Sequence, residues 1–321
     1  MSACKAASIA KQETVLAKQE TSSGAGGFAD NVSVSGEIAL LAQQIEADDG
    51  TSTGDVLVDT FELAIEADIN ENVKVATLIE YLAADEKLDL AEAYAVIGAE
   101  DSPVHLTVGK AAHPLLVGDS AAFTDPIAFD LYDAKEGLAM VSYSNEMVNV
   151  DAYVLNTSGE TGEALDTLGL NLGVTLENGV SFGAGYITNT ADVAGPFADL
   201  DGMTEKVDAW RANALFETGN LSLFAEYIQL GEINPAGEEP SFLHLGAGYD
   251  TQIFGADGNL FLGYSESDEA NYIDELPETR TALGLSRSLG ENASVVTEYV
   301  REESYSNEDT DILNVAIVTE F

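Results

Sequence analysis

Positive charge is scarce in this chain. Against 57 Asp and Glu stand 12 Lys and Arg, a formal net charge of -45 over 321 residues. So few cations cannot build the basic patches that displace counterions from phosphate, so no nucleic-acid partner is expected. Cysteine is nearly absent. Cys4 stands alone, which excludes an intrachain disulfide and a cysteine-based metal cluster. Three histidines, His105, His113 and His244, supply a histidine metal site poorly. There is no G-x-S-x-G, no P-loop and no H-E-x-x-H, so neither an enzyme nor a bound cofactor is expected. No complete signal peptide is visible, and the expectation is a mature or truncated chain. No apolar run reaches the ~18 residues of a transmembrane helix. If the chain spans a bilayer, it must do so as a closed barrel, because only helices and barrels satisfy every backbone group in lipid.

What is present is apolar residue in quantity, 45% of the chain, so this is not a disordered polyanion. The acidic excess fits either a saline habitat or the attraction of cations. Residues 1–27 stand apart. A short helix-prone stretch carries Lys5, Lys11 and Lys18, and a Ser/Gly linker follows. From Asp30 onward the period is two. At the end of the chain Leu313, Val315, Ile317, Thr319 and Phe321 alternate with Asn314, Ala316, Val318 and Glu320. Leu243, Leu245, Ala247 and Tyr249 alternate with His244, Gly246 and Gly248. The second face is small and polar rather than long and charged. That suits a lumen, while the apolar face with Tyr at strand ends suits lipid and its interfacial girdles.

The pattern predicts an all-β fold, a transmembrane antiparallel β-barrel of about sixteen strands over 28–321. Strands are expected near 31–46, 55–68, 72–83, 89–99, 104–111, 137–145, 147–157 and 166–176. They continue near 178–190, 205–217, 220–231, 241–250, 258–267, 278–287, 292–302 and 309–321. Short turns are expected at one end, with both termini in the periplasm. Long loops are expected at the other, 47–54 and 112–136 among them. Segment 251–257 reads as an exception, a longer connection on the short side.

Three groups of residues are candidates for function. Segment 112–136 is long and partly apolar, which predicts a loop folded into the barrel. Its candidate lining residues are His113, Asp119, Asp125, Asp130, Asp133, Lys135 and Glu136. On the inward phase of the strands lie Lys74, Glu80, Glu92, Asp151, Arg211, Glu226, Arg280, Glu298 and Glu320. A cation on the lipid face costs about 2–4 kcal/mol at mid-bilayer, so these must face the lumen. Their acidic bias predicts preference for cations, and the basic members are expected to pair with acidic neighbours. Acidic loops such as Glu46-Ala47-Asp48-Asp49 lack the spacing of a calcium motif and read as a solvated crown. The terminal V-A-I-V-T-E-F places Phe321 on the lipid phase, like a signal for the barrel-assembly machinery.

Phe28-Ala29-Asp30-Asn31-Val32-Ser33-Val34-Ser35-Gly36, Phe61 to Asn70, and Leu106-Thr107-Val108-Gly109-Lys110 followed by Asp125-Pro126-Ile127 carry a likeness. The chain resembles the LbtU-type family of outer-membrane siderophore porins in these phrases and in its ending. The resemblance implies a barrel with a periplasmic N-terminal segment and uptake of ferric siderophores or similar small solutes. The family's N-terminal helical region is longer than the twenty or so residues present here. The functional expectation is a bacterial outer-membrane porin for small hydrophilic solutes or iron chelates, set in lipid and assembling as a homotrimer. The alternative is a structural or partner-binding barrel, a sheath or adhesin, without open transport.

Overall fold

The structure, a computed structural model, describes residues 31–82, 87–112, 114–115, 122–132, 135–156, 167–190, 206–233, 237–273 and 276–321. The first strands are β1 (Val32–Ala47), β2 (Ser52–Asn70), β3 (Val73–Leu82), β4 (Lys87–Ile97) and β5 (Val104–Ala112). A short helix, α1 (Ile127–Tyr132), precedes β6 (Lys135–Ser144), β7 (Val148–Asn156), β8 (Thr167–Thr175) and β9 (Val180–Ile187). Then come β10 (Ala209–Thr218), β11 (Leu221–Leu230), β12 (Ser241–Ile253) and β13 (Ala256–Asp268). β14 (Thr279–Ser288), β15 (Ala293–Glu303) and β16 (Asp309–Glu320) complete the set. Each strand pairs antiparallel with the next, and β16 pairs with β1, so the sheet is a closed barrel of sixteen strands.

Alternation explains why these residues form this wall. On the outer phase Leu313, Val315 and Ile317 are exposed, as are Leu245, Tyr249, Leu260 and Leu262. On the inner phase Asn314, Ala316, His244, Phe261 and Ser265 are buried. Closure satisfies every strand's backbone groups, which a lipid-facing edge could not. Outward tyrosines near strand ends turn their hydroxyls to polar neighbours: Tyr186 to Asp208, Tyr264 to Glu266, and Tyr227 to Gln229. An amphipathic ring with one wet end belongs at such an interface.

Strand length varies around the ring. β7 and β8 have 9 residues each. At about 3.3 Å per residue and a tilt near 40°, they rise about 22 Å, close to an apolar belt's height. β1 and β2, with 16 and 19 residues, stand well past it. Hence the loop expected at 47–54 shrinks to 48–51, turned by Gly50 and held by the Asp49 carboxylate, which accepts from Thr51 N at 2.8 Å. A second correction concerns 251–257. β12 and β13 run on to a two-residue turn, Phe254-Gly255, both with positive φ (49° and 81°). That backbone matches the twist of a tight hairpin, and it needs no longer loop.

Three register shifts lie in the β1–β4 wall. Asp59 and Ile69 on β2 and Ala91 on β4 each have no opposite residue. Lys110 Nζ donates to the Leu90 carbonyl beside Ala91 at 2.8 Å, and Asp89 lies 3.8 Å from it.

Candidate functional site

The barrel interior is crossed by the chain itself. Segment 122–129 leaves from β5 and returns through β6, yet α1 packs against β12 and β13. β13 is eight strands from β5 in a ring of sixteen, so the segment reaches the opposite wall. Ile127, Ala128 and Phe129 are buried with Leu155, Ile187, Ile228 and Phe242, an apolar cluster inside the barrel. Ala122 joins a second cluster with Phe261, Ala282, Val296 and Ala316. Apolar residues in this long connection therefore supply its attachment to the wall, at about 25 cal/mol per Å² buried.

Polar anchors fix the register of that attachment. Glu298 on β15 is fully buried. Its carboxylate accepts from Phe123 N at 2.9 Å, from Thr124 N at 3.1 Å and from the Thr124 hydroxyl at 2.5 Å. Asn314 on β16 donates to both Glu298 and Thr124 at 3.3 Å. A buried carboxylate is costly unless its oxygens are satisfied, and here the segment's own donors do that. Arg280 on β14 donates to the Asp125 carbonyl at 2.7 Å and pairs with Glu302 at 2.7 Å. At the root, Glu92 accepts from Ala112 N at 3.3 Å, and Lys135 pairs with Glu80 at 2.7 Å. Buried carboxylates of β3, β4 and β15 thus hold the two ends and the far tip of the crossing segment.

A second polar row lies on the wall from β7 to β13. Asn171 donates to Asp151 at 3.3 Å and accepts from Arg211 at 3.3 Å; Arg211 also lies 3.7 Å from Glu226. The guanidinium reaches two strands away because Gly185, its cross-strand neighbour, has no side chain. Glu226 faces His244 in register, and His244 faces Ser265, whose hydroxyl is 3.0 Å from His244 Nδ1.

Most residues expected from sequence can now be placed. Glu80, Glu92, Asp151, Arg211, Glu226, Glu298 and Asp125 are buried inside the barrel. Arg280, Lys135 and Glu136 are half-buried there. Lys74 pairs with Asp68 at 3.6 Å near the short-turn end. His113, Asp119 and Asp133 lie outside the described residues, as does the side chain of Asp130, whose backbone is in α1. Sequence reading missed Phe123, Thr124, Asn171, Ser265, Glu302 and Asn314. Their signal was weak: inward Asn171, Ser265 and Asn314 are ordinary lumen residues until register pairs them. At the short-turn end a cavity of about 800 Å³ opens, lined by Asp250, Gln252, Asp257, Asn259, Ser286 and Glu320 among others.

The fold is that of the outer-membrane porins and channels. The outer-membrane channel DcaP of Acinetobacter baumannii superposes with a TM-score of 0.65 at 12% identity, over 90% of this chain and 97% of that one. OmpF of Salmonella typhi, in complex with daunomycin, gives 0.67 at 14% identity over 91% and 98%. OprB of Pseudomonas putida gives 0.69 at 8% identity over 91% and 95%. No family model and no curated protein sequence matches the chain.

Proposed function

We propose that the protein is a passive diffusion pore of a bacterial outer membrane. The observation that carries this reading is the segment anchored across the lumen: a closed barrel with a narrowed interior and no assembled catalytic group among the described residues. Segment 112–136 is the constriction, and its lining includes Asp125, Lys135, Glu136 and the unplaced His113, Asp119, Asp130 and Asp133. The wall opposite contributes Asp151, Arg211, Glu226 and Arg280. Small hydrophilic solutes pass, and the acidic excess biases the pore to cations. Iron chelates are candidate solutes on the strength of the sequence resemblance. Both chain ends, with segment 1–27, lie in the periplasm, and Phe321 is read by the assembly machinery.

Self-association as a trimer is part of the reading. Outward aromatics mark lipid contact. They are dense on β9–β13, with Phe182, Tyr186, Trp210, Phe216, Tyr227, Tyr249 and Tyr264, and sparse on β1, β4 and β5. A wall of Val, Leu, Ile and Ala without such a girdle suits a second copy of the chain.

Purified protein in planar bilayers tests the reading. Stepwise currents with a cation-directed reversal potential are expected. Silence across voltages would sink the pore and favour a structural or partner-binding barrel.

A further inference from the structure

The cavity at the short-turn mouth offers two unlike surfaces side by side. One is a recess in which amides and hydroxyls surround Asp250 and Asp257, with no Lys, Arg or His in the described lining. Gln252 donates to Asp257 at 2.8 Å and Asn259 to Asp250 at 2.7 Å, which positions those carboxylates without neutralising them. A recess lined by one sign of charge focuses its field on whatever enters. The other surface is an apolar lip. Phe254 tips the β12–β13 hairpin, between the lining residues Gln252 and Asp257, and is 94% exposed. It also holds a φ of 49°, an uncommon backbone state for an aromatic residue. The fold gives this ring no contact that would explain it, so the surface fits a partner that is both cationic and apolar.

The chain carries such a partner at the right place. Residues 6–20 lie outside the described residues and join β1 through 21–31. β1 enters the wall at this same mouth, where Gly36 pairs with Phe321 and Glu37 with Glu320, a lining residue of the cavity. The middle of the cavity, at β14, is three strand spacings from β1 around the ring, or about 14 Å. A Ser/Gly-rich linker of the length of 21–31 spans about 18 Å. Wound as a helix, the segment puts Lys11 and Lys18 on one face and Glu13 and Glu20 on the opposite one, with Ile9 and Leu16 together on a flank. Cations, acids and apolar groups are thus sorted by direction.

We infer that segment 6–20 docks at this cavity, with Lys11 and Lys18 turned to the recess and Ile9 and Leu16 against Phe254, and that it narrows the short-turn mouth. The effect on transport rests on the diffusion-pore reading above, and the docking does not.

Cys4, the chain's one cysteine, stands just ahead of the segment and serves as the probe. In the full chain in micelles, a bismaleimide should join Cys4 to Ser294→Cys, in the cavity, at least about fivefold faster than to Glu71→Cys, in the β2–β3 turn on the other side of β1. Lys11→Gln with Lys18→Gln should bring the two rates together, and so should Phe254→Ser. So should about 1 M KCl, which cuts the screening length to about 3 Å. Glu13→Gln with Glu20→Gln should leave the difference in place. Equal rates in the parent overturn the docking, as does a crosslink that joins two chains. In planar bilayers the Lys11→Gln, Lys18→Gln variant should conduct more than the parent, and equal conductance overturns the narrowing. Silence of both proteins overturns the pore reading instead, while the crosslinking rates still decide the docking.

Discussion

The amide of Gly36 donates to the Phe321 carbonyl at 2.9 Å, and the Phe321 amide donates to the Gly36 carbonyl at 3.1 Å. The Phe321 ring covers the space a side chain at 36 would need. A Cβ there would stand 2.6 Å from the ring and 2.5 Å from the Glu62 carbonyl. The last residue of the chain thus completes the seam on its lipid side, and a glycine makes room for it. Gly36→Ala should destabilise the barrel by about 1–3 kcal/mol through overpacking. Adding Phe321→Ala should restore only part of this, because the Glu62 carbonyl cannot swing aside. Urea unfolding of the three variants in micelles reads the difference. Full recovery in the double variant would place the whole strain on the ring.

Glu298 governs the crossing segment. Glu298→Gln replaces an acceptor of three segment donors by an amide whose NH2 must face one of them. Hydrogen bonds to a charged group are worth about 1.5–3 kcal/mol each, so the attachment should weaken by roughly 2–3 kcal/mol. The barrel itself, closed by sixteen strands, should persist. A cysteine at Ala122, buried against the wall in the parent, should become reactive to a maleimide in the Glu298→Gln background. Equal labelling rates in both backgrounds would show that the apolar clusters hold the segment without Glu298.

Much of this fold was legible because its period is two and lapses only at a few bulges. Leu313 to Phe321 could be sorted by face from composition alone, and the sixteen expected strands match the observed ones to within a few residues. The misses have physical causes. Residues 251–257 mix Gly, Asp and Gln, which reads as loop, yet Phe254 takes the positive φ that a two-residue turn requires. Glu80, Glu92 and Glu298 are buried, and alternation can assign such residues to a face, but their partners were beyond reach. A backbone amide at Ala112 or Phe123 has no sequence signature, and a contact across 174 residues follows only from closure of the ring.

Tyr153 and Gly169 form a second pairing of ring and glycine, this time inside. They are direct cross-strand partners, and a Cβ at Gly169 would fall within the Tyr153 ring. Tyr153 is buried beside the apolar cluster that receives α1. Gly169→Ala should expel the ring toward that cluster and cost about 1–3 kcal/mol. Tyr153→Leu in the same background should recover most of the loss, because a shorter side chain need not lie over position 169. Thermal unfolding monitored by circular dichroism checks both. An unchanged midpoint in Gly169→Ala would mean that the ring has an alternative seat.

The cap over the barrel mouth should loosen in alkali. In the connection 269–278, Tyr272 is half-buried against the apolar cluster, and Tyr305 reaches it from the connection 304–308. The Tyr305 hydroxyl is 2.8 Å from Ser267 Oγ and accepts from Ala270 N at 3.3 Å, which ties the two connections together. Burial raises the titration of both hydroxyls above the ordinary tyrosine value, and nearby carboxylates, Glu238 for Tyr272 and Glu278 for Tyr305, add to it. A group whose folded value is raised gives stability that is complete below its unfolded value and is lost as pH climbs through the folded one. The unfolded value is about 10, so the cap should hold its full stability at neutral pH and weaken progressively above pH 10. Difference absorbance of tyrosinate should show these two groups among the late-titrating tyrosines. Tyr305→Phe should remove one of them and, by cutting the tie to Ser267 and Ala270, speed proteolysis within 269–278 at neutral pH. Proteolysis at the parent's rate in that variant would mean that the apolar contacts alone close the cap.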